Sequence, residues 1–90
     1  MPYIQYDQRP AYDPSIAYLC TRLRTLPTND MVGHLTYVIF ALLVRMLPKN
    51  AKFFDRAVLE EAASRAVQEY VRRHMDPYED DAIQRNGDAT

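Results

Sequence analysis

The 90-residue chain is poor in the residues that most chemistry on a small protein requires. Its single cysteine, Cys20, can close no internal disulfide and build no thiolate metal cage. The two histidines, His34 and His74, are too far apart in sequence to complete a metal-ligand spacing. Two glycines, Gly33 and Gly87, are too few for a G-x-G-x-x-G turn or a phosphate loop. There is no H-E-x-x-H and no local signature of a Ser-His-Asp set. A net charge of −1 excludes a general binder of long nucleic acid, which needs a strong positive excess. The longest apolar stretch, 35–47, is interrupted by Thr36 and Arg45 and falls short of the roughly 20 residues of a membrane span. No basic segment precedes an apolar one at the start, so a signal peptide is not expected. These absences point to a cytoplasmic protein without metal, cofactor or catalytic residues, and so to a protein that is not an enzyme.

What the chain does have is apolar material, at 48% of its residues. That fraction belongs to a folded chain and excludes a disordered one. A chain this short has a poor surface-to-volume ratio, and such domains hold a net stability of only about 5–15 kcal/mol. It must bury nearly all of its large side chains or draw stability from a partner.

The pattern predicts an all-α protein: a three-helix core at about 14–26, 30–47 and 55–75, a short C-terminal helix at about 77–85, and an extended N-terminal arm. One helical domain is expected over 1–90, with 1–12 as the arm and 76–90 as a capped acidic tail helix. The arm carries Pro2 and Pro10, shows no helical period, and bears Tyr3, Ile4 and Tyr6. In the first helix, Asp13-Pro14 reads as a cap followed by proline at the first helical position, and Ile16, Leu19, Cys20, Leu23 and Leu26 share one face. The second helix is expected from Asn29 or Asp30 and is apolar over its whole circumference from Tyr37 to Val44. A helix of that kind must be covered all round. The third is expected to be capped by Asp55, with a stripe through Leu59, Ala62, Ala63, Ala66, Val67, Tyr70, Val71 and His74 and with Glu61–Arg65 and Glu69–Arg73 pairs on the other face. In the tail, Asp76-Pro77-Tyr78-Glu79 has the register of a capping box, and Asn86-Gly87 that of a left-handed terminator.

Charge is unevenly placed. Residues 45–73 hold seven basic and four acidic residues, while 74–90 hold one basic and five acidic. The Glu79-Asp80-Asp81 run complements a helix start and needs no metal to explain it. Arginine forks take phosphate in two-point contacts, and tyrosine rings offer a stacking face. Tyr70, Arg72, Arg73, His74 and Tyr78 cluster within nine residues, and Tyr3, Tyr6 and Arg9 form a second group on the arm. This chemistry serves nucleotide recognition and protein–protein hot spots alike, and the spacing does not choose between them. The excess apolar surface around Tyr37–Leu47 points to a homo-oligomer, with Tyr37, Phe40, Val44 and the arm residue Ile4 as expected interface residues.

Several segments together resemble a family of short, uncharacterised proteins encoded by phages and bacteria. They are MPYI at 1–4, the stretch Gly33-His34-Leu35-Thr36-Tyr37-Val38-Ile39, Arg72-Arg73, Pro77-Tyr78-Glu79-Asp80 and Asn86-Gly87-Asp88. The resemblance implies no stated activity. By size and context it suggests a likeness to phage anti-defence "sponge" proteins, which sequester a nucleotide immune signal without cleaving it. On that reading Arg72 and Arg73 would take phosphate, Tyr70 or Tyr78 would stack, and the Tyr3 arm would close a site between subunits. The alternative is a protein-binding adaptor or inhibitor that uses the same Arg/Tyr surface.

Overall fold

A computed structural model describes residues 4–87, and the described residues are mostly helical with no strand. By its internal contacts the chain divides into two units, Met1–Asn50 and Ala51–Thr90.

The first unit is a helical hairpin with a short lead-in. The expected extended arm is corrected here. Ile4 and Gln5 are non-helical, but Tyr6–Ala11 forms a 3₁₀ helix. The Gln5 N–H donates to the Gln8 side-chain oxygen at 3.1 Å, and the Gln8 N–H to the Gln5 carbonyl at 3.0 Å, which winds the first turn. Pro10 sits inside this segment without strain, because its fixed φ lies within the 3₁₀ range. The residues 1–3 of the expected arm, Tyr3 among them, lie outside the described residues.

Helix α1 spans Asp13–Arg24 and α2 spans Thr28–Arg45. Asp13 is the first residue of α1 rather than its cap, which is Tyr12, and Pro14 lies in the first turn as its missing N–H allows. Helix α1 stops short of Pro27: the Thr25 N–H and hydroxyl both turn back to the Arg22 carbonyl, at 3.4 and 2.8 Å. Helix α2 begins at Thr28, earlier than Asn29 or Asp30, because the carbonyl of extended Pro27 already accepts the Met31 N–H at 2.9 Å. The two helices contact each other, and Leu19 and Leu23 on α1, Leu26 in the turn and Met31, Val38 and Ala41 on α2 are half-buried.

The second unit is a run of helix from Phe53 to Asn86: α3 at Phe53–Tyr70, a π-helical turn at Val71–Met75, and α4 at Asp76–Asn86. Asp55 does not occupy the cap position. It lies in the first turn, and its carboxylate accepts the Lys52 N–H at 2.9 Å, so the helix starts two residues earlier than expected. The expected cap at Asp76 is also corrected. Asp76 has helical angles (φ −61°, ψ −46°), and its N–H donates to the Val71 carbonyl five residues back, so helix runs through the expected break. The cause is Pro77, which lacks an N–H and whose ring would press on the carbonyl four residues before it. Widening one turn relieves that contact without ending the helix. Gly87 ends α4 with φ +86°, where a side chain would be strained, and its N–H closes on Ile83 at 2.7 Å.

None of the described residues is buried. The α3 stripe expected to face a neighbour is largely open, with only Leu59 and Ala63 half-buried on it and Val67 and Tyr70 exposed. Phe53, Phe54 and Tyr6 are 85%, 75% and 83% exposed. Of the two routes open to so small a chain, burying its large side chains within itself is not the one this structure takes.

Candidate functional site

The residues expected to bind a ligand fall in both units. In the second unit the π turn carries Arg72, Arg73 and His74 directly after Tyr70. The Tyr70 and His74 rings stack with centroids 5.4 Å apart and planes 29° from parallel. Both arginines turn to one carboxylate. The Arg72 Nε donates to Glu69 at 3.2 Å and its terminal nitrogen makes a second contact there, while the Arg73 Nε donates to Glu69 at 2.6 Å. The Glu69 side chain is only 15% exposed, against 64% for Arg72 and 49% for Arg73. The two guanidiniums therefore cover the acid while their own outer edges face water. Tyr78, exposed on α4, makes no ring contact among the described residues. The cluster thus consists of a stacked Tyr–His pair beside two arginines already neutralised in part by Glu69.

The Glu61–Arg65 pair expected on α3 is present at 2.8 Å with both partners exposed, and worth no more than about 0.5 kcal/mol. On the tail, Asp81 and Arg85 pair at 3.3 Å. Among the described residues no three His, Cys, Asp or Glu side chains gather as metal ligands, the Glu79-Asp80-Asp81 run included. No helix among them is long and apolar enough to cross a membrane.

In the first unit, the Arg9 guanidinium lies 5.7 Å from the centre of the Tyr6 ring, within cation–π range. Tyr3, the third member of that group, lies outside the described residues.

The expected interface residues Tyr37, Phe40 and Val44 recur along one side of α2, all exposed, and Ile4 is exposed at 43%. At about 100° per residue, a second stripe runs along the opposite side of the helix. It comprises Val32, Leu35, Ile39, Leu42 and Met46, spaced by four and three residues in alternation and 39–66% exposed. Residues 31–44 contain no Asp, Glu, Lys or Arg, so neither stripe carries a formal charge.

One feature of the hairpin escaped the reading from sequence. Helices α1 and α2 and the turn that joins them line an open groove of about 680 Å³. Its lining includes the half-buried Leu23 and Val38, together with Tyr18 and Arg22 from α1 and His34 and Tyr37 from α2. The signal was available as Tyr18-x-x-x-Arg22 and His34-x-x-Tyr37, each at one-turn spacing. What the sequence did not supply is that these two faces meet.

Comparison with known proteins places the chain in one family. Residues 1–89 match the family described as a domain of unknown function, DUF6899, and the chain belongs to it. No curated protein and no solved structure matches the chain.

Proposed function

We propose that this member of the DUF6899 family is a non-enzymatic binding protein of the cytoplasm that works as a homo-oligomer and sequesters a nucleotide-derived signal. The observation that carries the assembly is the lack of any buried side chain among the described residues beside two uncharged apolar stripes on α2. Apolar burial is worth roughly 25 cal/mol per Å², and a second copy is the partner always present at matching concentration. The Val32–Met46 stripe has the alternating three- and four-residue spacing of a helix–helix seam, which a like helix fits. Phe40, Val44 and Ile4 then supply further contact surface.

The ligand half of the proposal rests on Tyr70, His74, Arg72 and Arg73, which bring a stacking surface and two guanidiniums to one turn. Binding of this kind needs shape, stacking and phosphate contacts but no catalytic base. The anti-defence setting comes from the phage-type resemblance and is proposed with it. One observation favours the alternative, a protein-binding adaptor or inhibitor: Arg72 and Arg73 already hold Glu69, so an incoming phosphate would compete with a resident carboxylate. Hot spots of that composition are common in protein interfaces.

Melting curves test both halves. An assembly melts at a temperature that rises with protein concentration, whereas a monomer melts at one temperature throughout. Screening cyclic and linear nucleotides in the same assay should find one that stabilises the protein. At about 100 times its Kd such a ligand adds about 2.7 kcal/mol, and Arg72→Ala should abolish that gain. A concentration-independent melt would remove the assembly, and silence across the nucleotides would favour the adaptor.

A further inference from the structure

The α1–α2 groove shares no residue with the C-terminal cluster, and we propose that it binds a nucleoside monophosphate, its base on Tyr18 and Tyr37 and its phosphate on Arg22 and His34. The inference goes beyond the sequestering reading and does not use Arg72 or Arg73. A volume of about 680 Å³ lies within the roughly 300–1,000 Å³ of small-molecule sites and exceeds what a single ring would fill.

Charge decides the sign of the occupant. The lining includes Arg22 and His34 and no acidic residue. Among the described residues no carboxylate pairs with either of them. Arg22 has a structural reason to exist, since a cation in the last turn of α1 complements the helix dipole. That reason accounts for neither His34 nor the two tyrosines.

Donor geometry narrows the phosphate end further. Two threonines also line the groove, but the Thr21 hydroxyl donates to the Ala17 carbonyl at 3.0 Å and the Thr25 hydroxyl to the Arg22 carbonyl at 2.8 Å. Their hydrogens are committed, so they present lone pairs, and the strong donors left for an anion are Arg22 and His34. The Thr25 contacts also fix the turn of α1 from which Arg22 projects. A guanidinium fork on a fixed turn suits two-point contact with phosphate.

Tyr18 and Tyr37 stand on different helices, 63% and 64% exposed, in a lining that includes Leu23 and Val38. Each ring leaves an exposed face on which a planar base can stack. Neither adenosine nor inorganic phosphate alone would engage both ends.

The test is titration of the isotope-labelled full chain with AMP, adenosine and inorganic phosphate, read by amide chemical shifts. AMP should shift α1–α2 signals saturably, and adenosine and phosphate should each bind at least about tenfold more weakly. Arg22→Gln should weaken AMP by about 10- to 100-fold, as expected for losing a charged hydrogen-bonding partner, and Arg65→Gln, outside both candidate sites, should leave it unchanged. If Arg22→Gln does not fold, His34→Gln and Tyr37→Leu serve in its place, each expected to weaken AMP. The inference is overturned if AMP gives no saturable shift at millimolar concentration, or binds no tighter than phosphate. It is equally overturned if the shifts fall on 70–78 and vanish with Arg72→Gln, which would leave the C-terminal reading standing. A change of sedimenting mass in Arg22→Gln without loss of an AMP signal would show a second copy in the groove instead.

Discussion

Gly33 offers a clean perturbation because it separates what the chain does to itself from what a partner does to it. It lies inside α2 with a negative φ, so its freedom to adopt left-handed angles is unused. A Cβ built there meets nothing within 4 Å. Gly33→Ala therefore gains the helix-propensity difference of about 0.8–1 kcal/mol, free of any steric penalty from this chain. For a domain of 60–100 residues, 1 kcal/mol moves the midpoint by about 4–8 °C, so thermal unfolding followed by circular dichroism should shift upward by roughly 3–8 °C. The gain survives assembly if copies meet through the Val32–Met46 stripe, on the other side of α2 from Gly33. A fall in the midpoint would refute the reasoning. It would mean that an atom from outside the chain approaches Gly33 closely, and that the seam runs along the Tyr37–Phe40–Val44 side.

Three further substitutions probe separate links. Asp55→Ala removes the acceptor of the Lys52 N–H at the start of α3 and should lower stability by about 1 kcal/mol, read from a denaturant midpoint at constant slope. Pro77→Ala returns the missing N–H and should convert the Val71–Met75 turn to ordinary α-helix, visible in Cα chemical shifts and in an exchange-protected amide at position 77. A π turn that persists in Pro77→Ala would show that something other than the proline ring holds it open. Glu61→Gln breaks an exposed pair and should change stability by less than about 0.5 kcal/mol, with no remaining difference from the parent in 1 M salt.

The helical class and the approximate helix positions were legible because they depend on local terms: apolar spacing, prolines at 14, 27 and 48, and the terminator at Gly87. Boundaries slipped wherever a backbone carbonyl did the work assigned to a side chain. Pro27 starts α2 through its carbonyl, and Asp55 reaches back from inside the helix instead of preceding it. Proline was read too strictly in two places. Pro10 suits a 3₁₀ turn as well as an extended arm, and Pro77 widens a helix that was expected to stop. The Arg72–Arg73 surface was visible as composition, but its capture by Glu69 depends on two spacings at once, i+3 and i+4 from one acid. The α1–α2 groove was not visible at all, since it depends on which faces of two helices meet across Thr25–Pro27.

The proposed assembly covers the α2 stripes that a single chain leaves open. Sedimentation velocity at tens of micromolar tests it most directly, on the parent protein and on Ile39→Lys, which places a charge in the Val32–Met46 stripe. The parent is predicted to sediment as a multiple of 10.5 kDa, and Ile39→Lys to shift toward smaller species and lose its cooperative melt. A parent that sediments at 10.5 kDa and still unfolds cooperatively would rule the assembly out.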